Sequence, residues 1–406
     1  MLKKIAIQDL RPGMYVVNSG LSWIEYPYLY MREGVVATED AVRAIAAEGF
    51  TEAVIDTDLC VGLDMASVES EADISHRISA LAEYIPPGPT VALSEELKRA
   101  VALYSDSVKQ ARSIMDDVRM GRALDVDASS PVVEEIIGSV TRNCDALTGL
   151  SKLRSFDEYT FTHCVNVAVL AVVFGRFLGK TEDDLRVLGM AGLFHDVGKQ
   201  LVPQDVLNKP GKLTEAEFVQ MKQHPSLGYN HLKKQAGAEG GEVNPVVLAG
   251  VLEHHEKYNG TGYPGGLAGD TISEAGRILA VADVYDALTS QRVYKAPMLP
   301  HKALGLMYSM RGKEFHPGYV ERFIKCLGIY PVGTTVLLNS GHVGVVYGSN
   351  PRIPLQPQVL VAAGSLGAIL PRRVDLAEHP QLRVSSVADP ARYGMNPEQL
   401  LERFAG

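Results

Sequence analysis

From Ser130 to about residue 328 the sequence is patterned almost continuously for helix, and its most apolar stretches are broken by the same two residue types, His and Asp. The pair His195-Asp196 lies in LGMAGLFHDVGK, where Leu188, Leu193, Phe194 and Val197 face a core. Two adjacent polar residues at the end of such a helix are costly to bury unless hydrogen bonds or a cation satisfy them. Lys199 stands four residues beyond His195, which predicts the same helical face. A lone His-Asp pair would say little.

Its partners say more. His163 opens HCVNVAVLAVV, His224 precedes Pro225 in KQHPSLGY, His254-His255 ends VVLAGVLEHHE, and Asp283 sits inside ILAVADVYDALTS. Each is a ligand-type residue embedded in, or ending, a stretch that reads as buried helix. Five imidazoles and two carboxylates converging from different helices is how bundle cores build two-metal sites. The mixed nitrogen and oxygen donors suit Fe, Mn, Co, Ni or Zn. The six other histidines (His76, His231, His301, His316, His342 and His379) stand alone and are expected to serve packing or the surface. After the paired histidines comes a loop, EKYNGTGYP, in which Asn259-Gly260 and Gly262 allow tight turns of positive φ and Tyr263 offers a stacking face. Beyond Asp283, Arg292 and Lys295 supply cations suited to an anionic substrate.

The 406 residues are too many for one compact core. Residues 1–125 read as a small α+β domain, with strands at Met14–Val17, Leu29–Met31 and Ala53–Ile55 and a helix at Glu39–Glu48. The PPGP stretch at Tyr84–Leu93 breaks it, and a helix follows from Ser94 to Arg119. Residues 126–330 form the helical domain, and a fragment starting near residue 125 is expected to fold alone. Residues 331–406 read as a β-rich extension, with a hairpin of Thr334–Leu338 and Val343–Tyr347, a strand at Val359–Ala362 and a final helix at Pro397–Phe404. The net charge of −9 argues against nucleic-acid binding, so no DNA partner is expected. The four cysteines show no pairing pattern and read as reduced thiols. The most apolar run, Val165–Leu178, is too short to span a bilayer and reads as a core helix; with no targeting segment visible, a cytoplasmic location is expected.

Taken in order and at these spacings, five segments resemble the HD-GYP family, the cyclic-di-GMP phosphodiesterase branch of the HD superfamily. They are His163 in YTFTHCVNVA, HDVGK at 195–199, HP at 224–225, HHEKYNGTGYP at 254–264 and ADVYDALTSQRVYK at 282–295. The resemblance implies an all-helical catalytic domain, two divalent metal ions, and hydrolysis of cyclic di-GMP through linear pGpG towards GMP. It implies His163, His195, Asp196 and Asp283 on one metal and His224, His254 and His255 on the other, with Asp196 bridging. Lys199 would act in catalysis with Asp196, and Tyr263, Arg292 and Lys295 would contact substrate. LRPGMYV at 10–16 resembles a domain of unknown function often found ahead of HD-GYP domains. GGDEF-domain proteins and a second copy of the chain are the partners implied by analogy. The alternatives are another cyclic dinucleotide as substrate, or a nucleotide-binding sensor without turnover. A third ion, found in some members, is not expected, because the position one turn before His163 is Tyr159, a neutral phenol.

Overall fold

The computed structural model describes residues 1–19, 21, 26, 28–62, 76–78, 80, 81, 84–122, 126–153, 159–209, 211, 213–239, 242–290, 297–364 and 367–404. It is a mainly helical chain with a sheet at each end. The N-terminal sheet has the order β1 (Leu2–Ala6), β5 (Glu52–Asp56), β2 (Tyr15–Val16), β4 (Gly34–Val35), with β3 (Leu29–Tyr30) pairing parallel to β5. β1 was not legible in the sequence, because LKKIA alternates poorly; it is placed by five antiparallel pairs with β5, from Leu2–Asp56 to Ala6–Glu52. Helix α1 (Glu39–Ala47), capped by Thr38, closes a small core of Ile7, Leu10, Val16, Val36, Ile45, Ala53 and Ile55.

Helix α2 (Leu93–Arg119) begins one residue before the Ser94 start signal, and Ser94 does not cap it. Its apolar face, including Leu97, Ala100, Tyr104, Ala111, Ile114 and Val118, enters the same core as the helices that follow. These are α3 (Ser130–Leu153), α4 (Tyr159–Phe177), α5 (Glu182–Phe194), α6 (Gln204–Leu207), α7 (Glu215–Met221), α8 (His224–Glu239), α9 (Pro245–Glu253), α10 (Glu274–Thr289), α11 (Pro300–Ser309) and α12 (Tyr319–Leu327). Glu96, fully buried on α2, accepts two hydrogen bonds of 2.7 Å from the Arg142 guanidinium on α3. The helix therefore joins the central helical layer, although it precedes Ser130, where the continuous helical patterning of the sequence begins.

Helix α4 is apolar on every side and lies at the centre, as such a helix must. Its Thr160–Phe177 stretch is long and apolar enough to cross a membrane, yet 83% of it is buried within the protein, so it is a core helix. The C-terminal sheet is antiparallel, ordered β10 (Val384–Val387), β6 (Thr335–Leu338), β7 (Val343–Gly348), β8 (Gln358–Gly364), β9 (Gly367–Asp375), and α13 (Pro397–Phe404) closes the chain. The expected hairpin is β6–β7; β9 was missed because most of its residues are exposed and lack an apolar face.

Candidate metal centre

Each ligand-type residue is delivered by a defined helix end or helix face. A capping box at Thr181 starts α5, and 13 residues later the helix ends at Phe194 with His195 as its C-cap. Asn244 and Pro245 start α9, which ends with His254 in the same position. Ser273 caps α10 and its N–H donates to Glu253 at 2.6 Å, tying the start of α10 to the end of α9. That brings Asp283, within α10, opposite the histidine pair. His163 does not open its helix: α4 begins at Tyr159 and places His163 a full turn inside it.

The structure brings His163, His195, Asp196, His224, His254, His255 and Asp283 together. Two groups of ligand atoms form, His163, His195 and Asp283 in one, Asp196, His224, His254 and His255 in the other, each within 4.8 Å of one another. Asp196 faces both. Its Oδ2 is 3.4 Å from His195 Nε2 and 3.7 Å from His163 Nε2, while its Oδ1 is 3.4 Å from His224 Nε2 and 3.9 Å from His254 Nε2. Asp283 Oδ1 is 3.0 Å from His163 Nε2, and its Oδ2 is 3.9 Å from His255 Nδ1. Six of the seven are nearly sealed from solvent; His255, at 9% exposure, stands at the rim.

The tautomers follow from the hydrogen bonds. A carbonyl can only accept, so His195, His224 and His254 donate Nδ1–H to the carbonyls of Gly192 at 2.7 Å, Met221 at 2.9 Å and Val251 at 2.8 Å. Each neutral ring then turns an Nε2 lone pair inward. His224 Nε2 and His254 Nε2 face each other at 3.3 Å, lone pair against lone pair, an arrangement that a cation between or beside them satisfies. Nε2 of His195, Oδ1 of Asp196 and Nε2 of His255 are buried without a hydrogen-bond partner. The donor set and its orphaned atoms fit divalent metal.

Protonation matches at His224, His254, His255, Asp196 and Asp283. Burial lowers His224 and His255 and, with His195 and His224 nearby, brings His254 down to about 3, so these rings are neutral. Burial would raise Asp196, but Lys199 and His195 outweigh it and hold the carboxyl well below its ordinary range. Burial would likewise raise Asp283, but His163 outweighs it and holds the carboxyl low. His163 goes the other way: burial opposes its charge, yet Asp283 and Asp286 outweigh it and push the ring up to about 10.

Lys199 is not on a continuing α-helical face. The chain tightens into a 3₁₀ turn over Val197–Leu201, and the Lys199 ammonium donates to Asp196 Oδ2 at 2.6 Å. Gly198 makes this turn possible, since a Cβ there would stand 2.0 Å from the His224 carbonyl oxygen and 2.5 Å from Gly228 N. In the loop after His255, Gly260 has the expected positive φ of 79°, whereas Asn259 and Gly262 do not. Gly262 is needed for close approach: a Cβ would lie 2.2 Å from Lys257 N. Tyr263 packs against the His255 ring, centroids 4.8 Å apart. Arg292 and Lys295, and Tyr159's side chain, lie outside the described residues.

Asp286 was missed. It is fully buried one turn beyond Asp283, and the signal was present as two Asp three residues apart in one apolar helix. His163 donates Nδ1–H to its Oδ2 at 2.8 Å; its Oδ1 accepts from Asn166 Nδ2 at 2.9 Å and from Ser290 Oγ at 2.8 Å. Tyr104 of α2 donates its hydroxyl to Asn166 Oδ1 at 2.7 Å, which extends the chain of bonds into the N-terminal part.

The helices converge a buried His-Asp pair with four further histidines and a second Asp into two groups that could each hold a metal ion. Residues 131–318 match the HD domain family, and residues 2–129 match a domain of unknown function. A cyclic di-GMP phosphodiesterase of Pseudomonas aeruginosa is 39% identical over 89% of this chain and 85% of its own length. A cyclic di-GMP phosphodiesterase response regulator of Xanthomonas campestris is 40% identical over 43% of this chain and 47% of its own length. A 3′3′-cGAMP-specific phosphodiesterase of Vibrio cholerae is 34% identical over 41% and 31%. The chain belongs to the HD-GYP family of metal-dependent phosphodiesterases.

Proposed function

We propose that this protein hydrolyses cyclic di-GMP, through linear pGpG towards GMP, at a site holding two divalent cations. The observation that carries the two-cation reading is the division of Asp196 between two donor groups, one carboxylate oxygen towards each, with the His224 and His254 lone pairs converging on one side. In this reading His163, His195 and Asp283 hold one ion, His224, His254 and His255 the other, and Asp196 bridges. Fe, Mn, Co, Ni and Zn all suit such donors. When bound, the ions supply Lewis acidity and an activated water for attack at phosphorus, with the 3′ oxygen leaving.

The chain's own residues do the rest. The carbonyls of Gly192, Met221 and Val251 fix the tautomers of His195, His224 and His254, so none of these three rings has to lose a proton from Nε2 before it can donate its lone pair. Asp286 orients His163. Lys199 holds Asp196 in place and puts a positive charge beside the position where phosphate charge develops. Tyr263, at the rim with His255, is assigned to the substrate's bases, and Arg292 and Lys295 to its phosphates.

The relative that supports cyclic di-GMP matches both the helical domain and the N-terminal part, whereas the cGAMP-specific relative matches 41% of the chain. Hydrolysis of the two cyclic dinucleotides, compared side by side on anaerobically purified protein with its metals counted, tests the reading. A preference for cGAMP would change the substrate; no turnover of either by metal-replete protein would leave a nucleotide-binding sensor.

A further inference from the structure

Glu314 lies buried between two parts of the chain that the catalytic reading leaves unconnected. From the N-terminal side, Lys4 of β1 forms an ion pair with its Oε1 and Tyr26 donates a hydroxyl hydrogen bond to its Oε2 at 2.8 Å. From the other side, the Lys257 ammonium stands 3.1 Å from Oε2. Both ammonium groups also lie over the Tyr26 ring, 4.6 Å and 4.4 Å from its centroid.

Lys257 belongs to the loop that follows His254-His255. The loop's backbone is held at the same place, since Tyr258 N–H donates to the Glu314 carbonyl at 3.0 Å and Asn259 N–H to that of Lys313 at 2.8 Å. Its far end is drawn back on itself by Glu256, which accepts from Gly265 N–H at 2.6 Å and Leu267 N–H at 2.9 Å. Tyr26 forms part of the wall of a cavity that also touches His254, His255 and Tyr263.

A buried carboxylate is stable only while its charge is matched. Here the matching cations come one from each side. Burial would raise the Glu314 carboxyl, but Lys257 and Lys4 outweigh it and bring it to about 2. Undocking β1 would leave Lys257 and Glu314 to share their site without Lys4 and Tyr26, and the loop would lose one side of its anchorage.

We propose that the N-terminal unit sets the position of the loop at 256–268, and so the affinity for substrate, through the Lys4–Tyr26–Glu314–Lys257 cluster. Glu314 and Tyr26 are positioning residues in this scheme; neither touches the reacting phosphate. The consequence for affinity rests on the reading of Tyr263 and its loop as a wall of the substrate site, while the mechanical coupling does not.

The test is hydrogen exchange on full-length, metal-loaded protein, comparing wild type with Tyr26→Phe, which removes one hydroxyl, and with Glu314→Gln. The amides of Tyr258 and Asn259 are expected to exchange about tenfold faster in both, the size of one hydrogen bond to a charged acceptor. Metal content stays at the wild-type value. KM for cyclic di-GMP rises by a similar factor with kcat little changed, and hydrolysis of bis(p-nitrophenyl) phosphate, which lacks the bases assigned to Tyr263, is unaltered. Unchanged exchange at these amides in Tyr26→Phe would overturn the coupling, and equal losses with both substrates would overturn its consequence for affinity. Altered exchange in a protein that fails to cleave cyclic di-GMP would uphold the coupling and remove only the substrate reading.

Discussion

Asp283 and Asp286, one turn apart on α10, grip the two nitrogens of a single imidazole: Oδ1 of Asp283 is 3.0 Å from His163 Nε2, and Oδ2 of Asp286 is 2.8 Å from Nδ1. One carboxylate shares His163's ligand face and the other orients it from behind. Outer partners of this kind tune a metal site as strongly as many direct ligands.

Asp286→Ala is therefore expected to lower metal affinity by about 10- to 100-fold, measured by competition with a chelator. Asp286→Asn keeps an acceptor for His163 and should lose less. Equal affinity in wild type and Asp286→Ala would show that the ring needs no orientation from this side.

Asp196→Ala removes the carboxylate that faces both donor groups. Elemental analysis should find fewer than two metals per chain, and phosphodiesterase activity should be abolished. Full activity in this variant would end the bridging assignment.

Gly198→Ala places a methyl group on the His224 carbonyl, 2.0 Å from its oxygen, with backbone on both sides and no flexible atom to move. A loss of about 3 kcal/mol in stability is expected from urea unfolding, at the upper end for overpacking, together with lower metal content because His224 must shift. Wild-type stability would mean that the 3₁₀ turn can open.

The Glu314 carboxyl, at about 2 against an ordinary 4.5, gives a pH signature. Its folded-state pKa is depressed, so its stabilisation is fully present above about pH 4.5 and is lost as pH falls towards 2. That contribution is about 3 kcal/mol by linkage. Glu314→Gln should flatten the acid limb of stability between these values; an unchanged limb would place the charge pairing elsewhere.

The position of α2 sets where the chain can be cut. A fragment from about residue 90 keeps Glu96 with Arg142 and Tyr104 with Asn166, and is expected to stay soluble and bind metal. One from residue 125 leaves the apolar groove of α3 and α4 open and should aggregate or bind metal weakly, by light scattering and metal analysis. If the two fragments behave alike, the 125 boundary stands.

The seven ligand-type residues, the helical character of 126–330 and the family were legible in the sequence, because a polar residue inside an apolar helical stretch demands a local explanation and the spacings of five such segments leave few. The apolar run Val165–Leu178, too short to span a bilayer, also marked α4 as a core helix. What no local pattern could supply was the pairing of segments distant along the chain. Asp286 differs from a satisfied core Asp only through His163, which lies 123 residues away. Lys199 was assigned by α-helical spacing, and its contact with Asp196 arises because the backbone tightens after His195, where α8 leaves no room for a side chain at Gly198. Short strands such as β1 carry too few residues to show a period and exist through β5. Glu314, in an unremarkable RGKEFHPG, became a meeting point only when β1 and the loop after His255 were folded against it, since charge burial is decided by what surrounds a residue in space and not by its neighbours in sequence.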